Sequence, residues 1–207
     1  MSRKEIEDRG LPTSRPCSIL TLEVRDPRGS LLARHVQESR SYTRQYMRFL
    51  FGRFQGFTGP IGSTGVTGTS GGISWLSSSL QGDMVAGTMS GIVVGAGTQA
   101  AGAAGSDYRL GSFIRHGTLT TGNRLTYAKG TGIDETRAGG TVTHRFRRLF
   151  TNNAGSAVTV REAGWLVNNA YTVPGRYLII RDLVGGAGLR VGTLSTLTVW
   201  YDLRTIR

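Results

Sequence analysis

From Gly140 to Val167 the chain reads GTVTHRFRRLFTNNAGSAVTVREAGWLV, and few architectures accommodate that order of residue types. Val142, His144 and Phe146 alternate with Thr143, Arg145 and Arg147, the period of two that sends successive side chains to opposite faces of a strand. Ser156 to Arg161 repeats it, with Val158 and Val160 on one face and Ala157, Thr159 and Arg161 on the other. Between the runs, Thr151 to Gly155 reads TNNAG. Asn and Gly tolerate positive φ, so the expected unit is a β-hairpin. The pair Arg147-Arg148 interrupts the alternation before Leu149 and Phe150 and is read as a β-bulge. Two further runs, Arg176 to Val184 (RYLIIRDLV) and Ser195 to Ile206 (STLTVWYDLRTI), have the same character. With the hairpin they are expected to build an antiparallel sheet, apolar on one face and rich in Arg and Thr on the other.

Towards the N-terminus, residues 1–16 are charged and interrupted by Pro12 and Pro16, and are read as an extended arm. Ile19 to Val24 alternates as a strand, Asp26-Pro27-Arg28-Gly29 has the residues of a tight turn, and Leu31 to Val36 returns as the partner strand. Ser39 or Ser41 can cap a helix running to about Phe54, because Tyr42, Tyr46, Phe49, Leu50 and Phe54 recur at helical spacing. Arg40, Arg44 and Arg48 fall on a different face of that helix. The helix packs on the sheet with these arginines in water, or it lies basic side down on nucleic acid or a neighbouring subunit.

Glycine occupies 31 of the 207 positions, about twice the usual share, and is concentrated between these regions. It recurs every third residue from Gly56 to Gly71, the spacing of a triple helix, in which only Gly fits at the axis of three wound chains. Pro60 is the only proline there, so the segment is read as an extended connector, with a three-fold winding of three copies as the alternative. Between Gln55 and Ser106 the only charged residue is Asp83. Within that stretch GIVVGAGTQA, residues 91–100, fits the glycine pattern of a dinucleotide fingerprint. The fingerprint fails downstream of its glycines. Gly102 and Gly105 break the required helix, and Arg115-His116 stands where an acid is needed. Ile92 to Val94 is instead expected to be a buried strand ending in a glycine turn. Short strands are expected near Phe113 and over Arg124 to Ala128. These elements together predict a mainly β fold: an antiparallel sandwich of jelly-roll type over 83–207, with a connector over 56–82, a hairpin plus helix over 17–55, and the arm over 1–16.

The formal charge is +12, and Lys4 and Lys129 are the only lysines, so the excess is almost all arginine. Arginine suits fixed, bidentate contacts at interfaces, and an excess of this size points to nucleic acid or to acidic protein neighbours. Cys17 is alone, which excludes an intrachain disulfide and a cysteine metal site. No apolar run has transmembrane length, and MSRKEIEDRGLP lacks the apolar core of a secretory signal, so assembly in a cytosol is expected.

No catalytic signature is present. His35, His116 and His144 lie in different elements and share no metal-ligand spacing. His144 is placed on the apolar face of its strand. Glu162, beside Gly164-Trp165, is expected to be partly buried and paired with a cross-strand arginine, Arg147 or Arg148, as a structural pair. No second carboxylate is placed to work with it, and no nucleophile turn occurs. Aromatic residues and arginines interleave over Tyr42–Phe54 and His144–Phe150, but no nucleic-acid-binding module is recognised, so any such binding is nonspecific. A carbohydrate-binding sandwich, with Trp75, Trp165 or Trp200 as a stacking platform, is the remaining class.

Four segments together resemble one family: GIVVGAGTQA…SDYRLGSFI, RLFTNNAGSAVTVREAGWLV, YLIIRDLV and TLTVWYDL. This succession is similar to virion proteins of tailed bacteriophages, over about residues 91–207. The chain departs from that pattern at Trp165 and in its arginine content. The resemblance implies a structural protein with no catalytic residue, cofactor or metal, present in many copies in a particle assembled in the host cytoplasm. Its partners would be itself and other virion proteins, with no membrane. It leaves capsid, neck and tail positions open. Arg40, Arg44, Arg48, Arg147 and Arg148 are the candidate assembly contacts.

Overall fold

The computed structural model describes residues 17–39, 66–67, 73–74, 80–81, 90–98, 109–118, 123–169 and 176–206. The expected N-terminal hairpin is there. β1 (Cys17–Arg25) pairs antiparallel with β2 (Leu31–Ser39). Its turn closes as the residues demand: the Asp26 carboxylate accepts the N–H groups of Arg28 and Ser30 at 2.9 and 2.8 Å, and Gly29 takes φ 87°. In chain order there follow β3 (Val66–Thr67), β4 (Ile73–Ser74), β5 (Leu80–Gln81), β6 (Gly91–Gly95), β7 (Arg115–His116), β8 (Arg124–Tyr127), β9 (Thr131–Ala138), β10 (Thr141–Thr151), β11 (Val158–Val160), β12 (Glu162–Asn169), β13 (Arg176–Leu183), β14 (Leu189–Val191) and β15 (Thr196–Ile206). The protein is mainly β, and no helix occurs among the described residues. The helix expected over 41–54 and the arm over 1–16 lie outside them. In the period-three glycine segment, Val66–Thr67 forms a short antiparallel ladder with Ile73–Ser74.

Two sheets carry the architecture. The first has seven strands in the order β2-β1-β15-β10-β8-β7, with β9 also on β10. The eleven residues of β10 are long enough to hold β9 along Thr141–Arg147 and β8 at Phe150–Thr151 on one edge. β1 pairs with β15 along its whole length, so the hairpin grouped by sequence with residues 17–55 is continuous with the sheet of the C-terminal segment. The second sheet has four strands, with β12 between β13 on one side and β6 and β5 on the other. Pairing is antiparallel except for the short β7–β8 ladder.

The structure corrects three expectations. The runs 142–150 and 156–161 do not form a hairpin: β10 pairs with β15, β9 and β8, whereas β11 pairs with β14. The reason lies in Asn152. Its side-chain NH2 donates to the carbonyls of Ser156 and Val191 at 2.9 Å, and its Oδ1 accepts the N–H of Ala154 at 2.9 Å. Its backbone bonds to Leu194 and Ser195. TNNAG is thus a clamp onto the 191–195 turn, and none of Asn152, Asn153 and Gly155 takes positive φ. Next, the runs 176–184 and 195–206 belong to different sheets. Finally, Arg147-Arg148 is not a bulge. The β10–β15 register runs unbroken from Thr141↔Ile206 to Thr151↔Thr196, and the irregularity lies on the β9 side between Arg145 and Arg147.

The apolar faces of both sheets meet in one core, with Leu20, Leu22, Val24, Val199 and Tyr201 from the first and Ile92, Val94, Leu166 and Ile180 from the second. Each fully buried Leu or Ile contributes about 1.5–3 kcal/mol relative to exposure. Two contacts bridge the layers directly. Phe146 meets Trp165 edge-on, with ring centroids 4.2 Å apart. Asp182 on β13 accepts the hydroxyl hydrogens of Ser39 on β2 at 2.7 Å and of Tyr201 on β15 at 3.0 Å.

Candidate functional site

Two regions concentrate polar chemistry, one inside and one outside. The inner one is built on Glu162, the first residue of β12, which is completely buried. Its Oε1 accepts the N–H groups of Gly97 at 3.1 Å and Ser112 at 2.9 Å, and its Oε2 accepts Gly111 N–H at 3.1 Å and Arg181 Nε at 3.0 Å. Each carboxylate oxygen therefore has two donors, one of the four being a cation, and the burial cost of the charge is offset. The arginine expected beside it, Arg147 or Arg148, is replaced by Arg181, which stands two residues along the β12–β13 ladder, opposite Gly164, and is itself buried.

This carboxylate also explains the glycines that mimic a dinucleotide fingerprint. A Cβ at Gly97 would lie 2.5 Å from Glu162 Oε1 and 2.9 Å from Ser112 N, and one at Gly95 would meet the same carboxylate. The backbone of β6 and the loop after it must pass that close, and only glycine allows it. GAG, LGS, REAG and RD, scattered over nearly ninety residues of sequence, thus converge on one buried charge.

Arg148 is a second interior charge, fully buried. It donates to the carbonyls of Ala128 at 3.0 Å, Ser90 at 2.5 Å and Ile92 at 3.0 Å, and its guanidinium lies 4.9 Å from the Tyr127 ring centroid. Burial pushes its pKa down to about 10, which leaves it a cation at neutral pH. Burial also raises the Tyr127 phenol, whose OH donates to Ile114 O at 2.5 Å. Arg148 therefore faces inward and offers no assembly surface. Arg147, its neighbour, is exposed on the outward face. Arg40, Arg44, Arg48 and Trp75 lie outside the described residues.

The outer region is a groove of about 470 Å³ on the solvent face of the seven-stranded sheet. Arg147 and Leu149 of β10, Thr198 and Trp200 of β15, and Glu23 and Arg25 of β1 line it, with Lys129 at its rim. Arg147 sits directly opposite Trp200 in the β10–β15 ladder. Glu23 is bound by Arg25 at 3.0 Å and by Arg34 at 3.4 Å. Of the proposed stacking platforms, Trp165 is 7% exposed and packed against Phe146 and Tyr201, whereas Trp200 is only half-buried. The sequence singles out Trp200 and, separately, Arg147, but does not bring them together, because cross-strand neighbours on β1 and β10 are more than fifty residues away in the chain.

The histidines do not meet. His35 bonds to Gln37, the His116 ring accepts the Tyr127 N–H, and His144 lies 3.8 Å from Glu135. His144, expected within the apolar face, has a side chain 39% exposed, because β10 extends past the core at that end. Glu135 beside it is held below the ordinary carboxylate value, first by its hydrogen bond from Arg137. Among the described residues no three His, Cys, Asp or Glu side chains gather where they could hold a metal ion, and no helix is long and apolar enough to cross a membrane. No protein-family model, curated protein or solved structure matches the chain.

Proposed function

We propose that this protein is a structural component of a virus particle, repeated in many copies and joined through subunit contacts, at a capsid, head–tail or tail position. One observation carries the reading. Segments that resemble virion proteins of tailed bacteriophages supply the ligands of a single internal carboxylate, Glu162, and also carry Asn152 and Asp182, which clamp other parts of the chain. The residues that hold Glu162, Asn152 and Asp182 serve rigidity. A chain selected for being one shape in many copies needs that more than it needs a reactive group.

In the same reading the two sheets are the layers of a sandwich of jelly-roll type, the basic helix over 41–54 and the arm over 1–16 reach neighbouring subunits, and assembly takes place in the host cytoplasm. Arg40, Arg44, Arg48 and Arg147 are the arginines assigned to contacts. The test is quantitative mass spectrometry of purified particles, together with the mass of the isolated chain by light scattering. Many copies per particle support the reading. Absence from particles, with salt-sensitive retardation of nucleic acid in a gel, replaces it by a basic nucleic-acid-associated protein.

A further inference from the structure

We propose that the groove at Trp200 is a binding site for an acidic saccharide, one sugar unit of which lies on the indole while its carboxylate or sulfate is held by Arg147 and Lys129. The site does not rest on the virion reading, although both use Arg147, and it is defined by the lattice of outward side chains. The β-ladders place Arg147, Trp200 and Thr21 in one row across the sheet, and Leu149, Thr198 and Glu23 in the next. Arg25 faces Thr196 in the row beyond. Strands lie about 4.8 Å apart, so the patch from β10 to β1 is about 10 Å across, the size of one or two sugar rings.

Its chemistry has three parts. Trp200 is a large flat apolar surface whose ring lines the groove, suited to the C–H face of a pyranose. Three cations line the groove against the single carboxylate of Glu23, so the ligand is an anion, and the planar Arg147 fork suits a carboxylate or sulfate. Thr198 forms the floor between them and supplies a hydroxyl that can both donate and accept. An apolar plate with a few convergent polar groups is how small-ligand sites are generally built.

The same lattice argues against a nucleic-acid strand. A strand needs a basic track that continues from one nucleotide to the next. Here the row beyond Trp200 holds Arg145, Asp202 and Ile19, and both Asp202 oxygens take Arg145 at 2.7 Å. The positive charge ends where the acid begins.

The experiment uses the full chain on an array of sialylated, hexuronate-containing and sulfated oligosaccharides printed with their neutral counterparts. Hits are followed by calorimetric titration, with oligothymidylate and inorganic sulfate as parallel probes. Acidic sugars bind and neutral ones do not. Trp200→Ala weakens binding about tenfold, and Arg147→Gln, an exposed change that leaves the fold intact, weakens it by about tenfold or more. No acidic sugar retained above its neutral counterpart overturns the proposal, as does binding that survives Arg147→Gln. Sulfate alone binding as well as the sugars makes this a simple anion site, and oligothymidylate binding more tightly makes it a nucleic-acid site. Either result also overturns it.

Discussion

Glu162 and Asp202 each hold an arginine, and the two regions use that pairing to opposite ends. Inside the second sheet, Glu162 and Arg181 are both buried, and the carboxylate is surrounded by three backbone N–H groups from two loops. On the outward face of the first sheet, Asp202 takes Arg145 in a fork whose arginine side chain remains 40% exposed. Arg145 is held above its ordinary pKa first by that hydrogen bond, while water continues to screen the pair. The inner pair fixes where loops go, because removing either partner strands the other in a medium that cannot solvate it. In the outer pair only Arg145 can exchange its partner for water at little cost, since Asp202 is itself 4% exposed, so that pair is open to solvent on its arginine side alone. The same division runs through adjacent residues, Arg148 inside and Arg147 outside.

The sharpest way to break the comparison is to delete the two acids. Glu162→Ala leaves Arg181 and three N–H groups buried without their acceptor, and is expected to cost about 4 kcal/mol. Asp202→Ala lets Arg145 turn to water and is expected to cost about 1 kcal/mol or less. Urea denaturation of the purified chain measures both. Equal losses would mean that the two regions do not differ in the way argued. Gly97→Ala sharpens the result, since its methyl group would press on Glu162 and on Ser112 N together. It should approach the loss from deleting the acid, although it removes no hydrogen-bonding group.

The neighbouring arginines come next. Arg148→Met keeps volume but removes the guanidinium donor from the carbonyls of Ser90, Ile92 and Ala128 and the cation over Tyr127, for an expected loss of about 2–3 kcal/mol. Arg147→Gln should stay within about 0.5 kcal/mol of the parent. Thermal melts of the pair decide it, and similar shifts would contradict the inward and outward assignment.

Much of this is legible in sequence, and the failures share one cause. Periodicity places the strands at 19–24, 31–36 and 195–206, because alternation is a local property that survives folding, and a short apolar run closed by glycine places the one at 92–94. Turn chemistry places Asp26–Gly29 for the same reason. What fails is pairing. TNNAG has hairpin residues, yet its asparagine bonds across to Val191, nearly forty residues on, and no local rule contains that partner. Arg148 carries a readable signal: it shares parity with Phe146 and Phe150, so strict alternation already puts it inside. Reading a bulge there takes a charge at a core position to break the pattern when it is part of it. Arg181 can be found only through the β12–β13 register.

A smaller effect separates Tyr127 from solvent-exposed phenols. Its raised pKa means that the folded chain keeps this proton at alkaline pH while the unfolded chain loses it above about pH 10. The unfolded state then binds fewer protons, so stability falls as pH rises through that window. Arg148 acts in the opposite sense, because its folded pKa, about 10, lies below the unfolded one, and the unfolded state holds more protons above that pH. Tyr127→Phe removes only the first effect. The slope of unfolding free energy between about pH 9 and pH 11 should become less negative by up to about 1.4 kcal/mol per pH unit, one proton's worth. An unchanged slope would show that the phenol titrates as if exposed.

The smallest effect expected is a gain. Leu194 is the only described non-glycine residue with positive φ, 60°, at the turn where the Asn152 clamp ends. Its N–H donates to Asn152 O at 2.7 Å and Ser195 N–H returns to Gly192 O, so the clamp dictates the backbone whatever the side chain. A leucine there carries a cost of about 1 kcal/mol that asparagine largely avoids. The side chain is 59% exposed and recovers little by burial within the chain. Leu194→Asn should therefore raise stability by about 0.5–1 kcal/mol, read as a melting temperature higher by a few degrees. Destabilisation would mean that the leucine packs against the chain after all. If the gain appears in the isolated subunit while the assembled mass measured by light scattering falls, the exposed leucine is a subunit contact held out at the expense of the fold. The outer surface would then do at Leu194 what the interior never does at Glu162, giving up stability in one chain to gain it between chains.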